Sequence, residues 1–314
     1  SRFGHVEEII GMETPYHYRN KAQAAFGRTA RGKMISGIYQ SGTHIIAATD
    51  QCFLESAKAD EIIVTIRCLA ESFKIQVYNE DTHAGCLRHV LVRNGAVSGQ
   101  ILVAIVTATP VFPGKTNFVR ELVKLHPEIT TVVQNINPAH DSMVLGKRQV
   151  VLYGKGYIED TLCGCVFRIS ARSFYQINSI QTEKLYQIAL EYADLSKNDI
   201  LLDAYCGIGT IGLIAAKQSG CQVIGVESNE DAAREAGANG GTVVTSRRIG
   251  NEQALGFWGM SIQNAKDMVF IVAENETKLD IMKAIGEKCG LHSEAQGVLV
   301  SLPIDHVIGF ETAE

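Results

Sequence analysis

Proline is scarce in this chain, 6 of 314 residues, and no apolar run approaches the roughly 18 to 20 residues that a membrane-spanning helix needs. The most apolar stretch, residues 101–106, is followed by Thr107 and Pro110, so no membrane span is expected. The opening Ser1-Arg2-Phe3-Gly4-His5 lacks the apolar segment of a secretory signal, which makes the cytoplasm the expected location. It starts on Ser rather than Met, which suggests a processed, trimmed or partial chain. The 8 cysteines, at 52, 68, 86, 163, 165, 206, 221 and 289, lack the paired spacing of a disulfide scaffold or a zinc site. Cys163-Gly164-Cys165 is too close for the usual metal loop. With 46% apolar and 20% charged residues, a disordered tail, a collagen and a low-complexity linker are excluded. A surplus of positive charge is missing too, since 29 Lys plus Arg stand against 34 Asp plus Glu.

The length suggests two or three domains. Residues 1–230 hold 22 basic and 22 acidic residues, and residues 231–314 hold 7 and 12, so the whole net charge of −5 sits in the last part. Two charge habits suggest two origins. Near the start, Arg19, Lys21, Arg28, Arg31 and Lys33 fall beside Tyr16, Tyr18 and Phe26, a mixture that suits a nucleic-acid surface, although spacing alone favours a solvated strand edge. Short apolar or alternating runs at 62–66, 73–78 and 101–106 read as strands, 118–125 as a short helix ended before Pro127, and 130–135 as a further strand. Residues 1–160 are therefore expected to be α+β.

An α/β unit follows. Ile180, Leu185, Ile188, Ala189 and Tyr192 have near-helical spacing, and residues 200–227 read as strand, Gly-rich turn, helix and strand, one right-handed βαβ crossover. Gly207-Ile208-Gly209-Thr210-Ile211-Gly212 matches G-x-G-x-x-G at the mouth of the helix, and Glu227 closes the next strand 18 residues after Gly209. Small residues let the backbone approach a ligand, and the Glu227 carboxylate can accept hydrogen bonds from both ribose hydroxyls of an adenosine. NAD, S-adenosyl-L-methionine and a packing-only role all fit. Asp203 before the loop favours S-adenosyl-L-methionine, whose sulfonium and ammonium welcome a carboxylate.

The run Asp203-Ala204-Tyr205-Cys206-Gly207-Ile208-Gly209-Thr210 resembles the cofactor loop of the RNA 5-methyluridine (uracil-C5) methyltransferases, in their 23S ribosomal RNA type. Ile169-Ser170-Ala171-Arg172-Ser173-Phe174-Tyr175-Gln176-Ile177-Asn178 resembles that family's lead-in helix, and Gly85-Cys86-Leu87-Arg88-His89-Val90-Leu91-Val92-Arg93 and Tyr16-His17-Tyr18-Arg19-Asn20-Lys21 resemble its central RNA-contacting domain. The resemblance covers residues 1–230. It implies a central RNA-contacting domain over 1–160 and the first part of a Rossmann-like methyltransferase domain over 161–230. It implies S-adenosyl-L-methionine contacts by Gln176, through its side-chain amide, by Tyr205, packing on the ligand, and by Thr210 and Glu227. Asp203, Gly207 and Gly209 complete the candidate set, and Arg19, Asn20 and Lys21 are implied RNA contacts. Cys52 resembles the last of four cysteines that hold an iron–sulfur cluster in part of that family. The other three positions are not in this sequence, so no cluster is expected and Cys52 is expected to be a free thiol. In the family a cysteine thiolate adds to uracil C6 after an Asp-Pro-Pro-Arg segment. No such segment occurs here, no catalytic residue is assigned, and Cys206 and Cys289 are poor substitutes.

From about residue 231, Ala233-Arg234-Glu235-Ala236-Gly237-Ala238-Asn239-Gly240-Gly241, then Phe257-Trp258-Gly259-Met260-Ser261-Ile262, and Gly297-Val298-Leu299-Val300-Ser301-Leu302-Pro303 resemble PII-type nitrogen-regulatory proteins over 232–310. That implies a ferredoxin-like segment over 231–314, a homotrimer with effector sites between subunits, and a partner-binding loop at 247–256. The strand at 223–227 is then claimed twice, by the crossover and by the ferredoxin-like sheet. A regulatory protein, or a non-natural chimera of two genes, is the alternative to a truncated methyltransferase.

Overall fold

The computed structural model describes residues 9–227 and Lys283. The PII-type expectations for 231–314 (ferredoxin-like segment, trimer, partner-binding loop) lie outside the described residues. In chain order the described elements are β1 (Lys21–Arg28), β2 (Met34–Tyr39), β3 (Ile46–Ala48), α1 (Ala57–Ser72), β4 (Leu87–Asn94), β5 (Ile101–Thr107), α2 (Lys115–Leu125), β6 (Ile129–Ile136), β7 (Arg148–Tyr153), β8 (Tyr157–Leu162), β9 (Cys165–Ser170), α3 (Ser179–Ala193), β10 (Ile200–Asp203), α4 (Thr210–Ser219) and β11 (Gln222–Gly225). None of the described helices is long and apolar enough to cross a membrane.

Seven strands form one sheet in the order β3-β2-β1-β4-β5-β6-β7, antiparallel except for β5 and β6, which α2 joins as a parallel crossover. Its central strands are apolar at nearly every position, and strand alternation divides those residues between two cores. On one face Ala22, Ala24, Val90, Val92, Val103 and Ile105 pack against Ile62 and Ile66 of α1 and Phe118 and Leu122 of α2. On the other, Leu91, Leu102, Ala104 and Val133 meet the β8–β9 hairpin through Ile158, Phe167 and Ile169, α3 through Tyr186, and α4 through Ile214. Burial contributes about 1.5–3 kcal/mol for each of the large side chains. The second core is continuous across the domain boundary expected at 160, which falls inside β8.

Two expected strands take other forms. The run at 62–66 belongs to α1, because Ala59, Ile62, Ile63, Ile66 and Ala70 recur at helical spacing and are all buried, a period hidden within five β-branched-rich residues. Residues 73–78 are irregular: Phe73 closes α1, Lys74 has φ of 55°, and only an isolated bridge, Val77 to Leu87, is made. The helix at 179–193 is as expected, but its buried residues are Ser179, Thr182 and Tyr186, while Ile180, Leu185 and Tyr192 are exposed.

Interior polar groups tie the layers together. Asp160, 1% exposed, accepts hydrogen bonds from the backbone N–H groups of Ala96 (2.9 Å), Val97 (3.0 Å) and Ser98 (3.0 Å), pinning the β4–β5 turn to the β8–β9 hairpin. Arg88, 2% exposed, pairs with Glu80 at 2.9 Å, donates to the carbonyls of Asn137 and Ala139, and lies 4.6 Å from the Tyr78 ring centre. Beside it His89 is buried, and burial first, then the Arg88 charge, bring its pKa down to about 4.

Asp160→Ala strands three loop N–H groups at once and is expected to lower unfolding stability by about 2–4 kcal/mol in a denaturant titration; a change under about 0.5 kcal/mol would remove this role. Because His89 stays neutral in the folded chain while its unfolded counterpart takes a proton near the ordinary value of about 6.5, stability should fall as pH drops from about 6.5 to about 4, by about 3 kcal/mol at most. Unfolding curves of His89→Gln should lack that part of the decline; an unchanged pH profile would count against it.

Candidate functional site

β10 and β11 run parallel, with Leu201 opposite Val223 and Asp203 opposite Gly225. The strand claimed twice in the sequence therefore belongs to the crossover. Beyond the paired residues, the Val226 N–H donates to the Asp203 carbonyl (2.9 Å) and the Cys206 N–H to the Val226 carbonyl (3.1 Å), so both strand ends are tied to the turn. Gly207 (φ 55°) and Gly209 (φ 76°) take the left-handed conformation that turns the chain into α4. Gly212 is needed for space instead. A Cβ there would stand 2.8 Å from Val223 Cγ1 and 3.2 Å from Asp203 Oδ2, so only glycine lets the helix lie this close to the strands.

Two carboxylates face this turn. Glu227 Oε2 accepts the Gly207 N–H at 2.9 Å, which places the acidic tip of the second strand against the Gly-rich loop. Asp203 closes the first strand, and its Oδ2 is buried without a hydrogen-bond partner among the described residues. Burial raises the Asp203 pKa, the Glu227 charge raises it further, and the Gly212 backbone amide nearby opposes both. A second anion arriving here, such as a pyrophosphate, meets this acidic pair, whereas a cationic group relieves it. Cys206 is in the same turn, and burial, Asp203 and Glu227 together push its thiol pKa up.

The other candidates are placed as follows. Tyr205 is 89% exposed at the loop, so its ring is not part of the core and is open to a ligand. The Thr210 hydroxyl shares a hydrogen bond of 2.8 Å with the Tyr186 hydroxyl of α3, a link not expected from the sequence, although Thr182 and Tyr186 mark one helix face four residues apart. Gln176 precedes α3 and shares no hydrogen bond with the loop among the described residues; its carbonyl accepts the Asn20 side-chain amide at 2.8 Å. Thus Asp203, Tyr205, Gly207, Gly209, Thr210 and Glu227 come together on one crossover, whereas Gln176 stands before α3 with no hydrogen bond to them among the described residues.

The implied RNA contacts divide. Asn20 is 6% exposed and hydrogen-bonded internally, which turns it inward rather than toward a surface partner. Arg19 and Lys21 are half-buried, and burial, then the Arg93 and Arg19 charges, lower the Lys21 pKa. Within the Gly85–Arg93 motif, Arg88, His89 and Arg93 are all interior. Cys52 is a half-buried free thiol whose N–H donates to Asp60.

No family model matches the sequence. An uncharacterized RNA methyltransferase of Bacillus cereus is 41% identical over 238 residues, 74% of this chain and 51% of that protein, and one of Oceanobacillus iheyensis is 41% identical over 240 residues, 75% and 52%. The chain spans about half the length of these curated relatives. Among solved structures, the Pyrococcus abyssi tRNA (uracil-54, C5)-methyltransferase in complex with S-adenosyl-L-homocysteine matches with TM-score 0.60 and 26% identity, over 73% of this chain and 53% of that one. About three quarters of the chain is therefore related to RNA methyltransferases, in sequence and in its mixed α/β fold.

Proposed function

We propose that residues 9–227 are the RNA-contacting and methyl-donor-binding part of an S-adenosyl-L-methionine-dependent RNA uracil-C5 methyltransferase. The observation that carries the reading is the acidic pair at the glycine turn, Glu227 against the Gly207 N–H and Asp203 with a buried, unpartnered oxygen. These groups fit the methyl donor: Glu227 would hold the ribose hydroxyls, Asp203 would face the cationic end, and Tyr205 would lie on the adenosine. The bound donor supplies an electrophilic methyl group, and the residues here bind and orient it. NAD fits the same turn less well, because its pyrophosphate would approach the Asp203 carboxylate before the loop. Relatives named for RNA support the substrate class, and the Pyrococcus enzyme, which acts on tRNA, supports uracil C5. The motifs favour ribosomal RNA on resemblance alone. The PII-type module and its trimer are no part of this reading.

Uracil C5 has to be activated by a nucleophile adding to C6, and a thiol serves only as thiolate. Cys206, the cysteine at the turn, is poorly suited, since the two carboxylates beside it disfavour a further negative charge.

In isothermal titration, S-adenosyl-L-homocysteine is expected to bind and NAD not, with Glu227→Ala weakening the former by about 10- to 100-fold, the worth of a charged hydrogen-bond acceptor of about 1.5–3 kcal/mol. Preference for NAD would overturn the reading. Alkylation of Cys206 by iodoacetamide, followed by peptide mass spectrometry, should be slow at neutral pH and accelerate only above the ordinary thiol value of about 8.5. A plateau reached below about pH 8 would reveal an activated thiolate and reopen Cys206 as nucleophile.

A further inference from the structure

The lead-in segment before α3 has little regular structure, yet three of its carbonyls are held by Arg93 of β4 and by Asn20, the residue just before β1. Arg93 donates to the Ser173 carbonyl, the Asn20 side-chain amide to the Gln176 carbonyl at 2.8 Å, and the Asn20 backbone N–H to the Ile177 carbonyl at 2.9 Å. The same Asn20 amide reaches the Ser179 hydroxyl, the first residue of α3, at 3.1 Å. Asn20 is itself fixed from behind, because its carbonyl accepts the Asn94 N–H at 3.0 Å.

A carbonyl can only accept, so the Gln176 oxygen determines which end of the Asn20 amide faces the segment. That orientation leaves Asn20 Oδ1 buried with no partner among the described residues. An interior amide that satisfies the Gln176 carbonyl and the Ser179 hydroxyl while its own oxygen goes unmet is oriented for the entry to α3 rather than for the strands beside it. Past Ser179 the connection continues along α3 to Tyr186 and across its hydroxyl to Thr210 on the glycine turn.

We infer that Asn20 is a positioning residue for the methyl-donor pocket: it sets the lead-in backbone so that the Gln176 side chain meets the donor, and it is not itself an RNA contact. The inference rests on the donor-binding reading given above and on the Gln176 contact that the resemblance implies. Its mode of action is backbone placement, since Asn20 touches Gln176 through the carbonyl and leaves the Gln176 side-chain amide for the ligand.

The test is a double-mutant cycle read by S-adenosyl-L-homocysteine titration of the full chain, with unliganded Tm as the measure of folding. Asn20→Ala should weaken binding about 10-fold in the wild-type background and have almost no further effect in Gln176→Ala, while Lys124→Ala, on an exposed position of α2, leaves the affinity unchanged. Ser179→Ala, which removes one of the two amide contacts, should weaken binding about 3-fold and serves if Asn20→Ala does not fold; unchanged affinity there counts against the inference. An equal loss in both backgrounds would make Asn20 a mere structural support and overturn it. So would unchanged affinity in Asn20→Ala, provided that Glu227→Ala still weakens binding. No titratable binding by the wild-type chain would instead bring down the donor-binding reading, and this inference with it.

Discussion

A sheet whose central strands are apolar on both faces has to be covered twice, and that constraint organises the rest of the described structure. Helices α1 and α2 cover one face. On the other, Leu91, Leu102, Ala104 and Val133 draw in the β8–β9 hairpin together with α3 and α4. The glycine turn is carried on α4, so its position relative to the strands that resemble an RNA-contacting domain follows from the second core. Among the described residues the large sheet and the helix that carries the glycine turn share one hydrophobic cluster, with no flexible linker between them.

Within that apolar frame the polar interior is sparse and specific. Asp160 gathers three loop N–H groups, Arg88 joins Glu80 to the carbonyls of 137 and 139, and Asn20 holds the approach to α3. Each satisfies backbone groups that would otherwise be buried unmet, which in a low-dielectric interior is worth more than the same contact at the surface. Charged and amide side chains that look in the sequence like recognition residues are here largely framework. Exposed Tyr205 and the buried, unmet Oδ2 of Asp203 are the opposite case: groups arranged with little benefit to folding.

The crossover was legible in the sequence because its signals are local: two glycines that need a left-handed turn, a third that needs contact space, and a carboxylate at each strand end. So was α2, bounded by Pro127. The run at 62–66 was misleading because β-branched residues favour strands over a short window, whereas the burial that decides the matter spans Ala59 to Ala70. The inward turn of Asn20 and the Tyr186–Thr210 bond could not be read at all, since they join residues 156 to 159 and 24 positions apart, and no periodicity encodes such pairs. Resemblance identified the Arg19-Asn20-Lys21 run but could not tell which of its side chains faces the interior.

The raised affinity of Asp203 for its proton has a thermodynamic corollary. With Glu227 beside it and burial around it, this carboxyl keeps hydrogen into a milder acidity than an exposed aspartate does. A sulfonium or ammonium settling nearby favours the ionised form, so occupation of the turn expels hydrogen ions to the medium, and the heat of association in weakly acid solution depends on the ionisation enthalpy of the buffer that collects them.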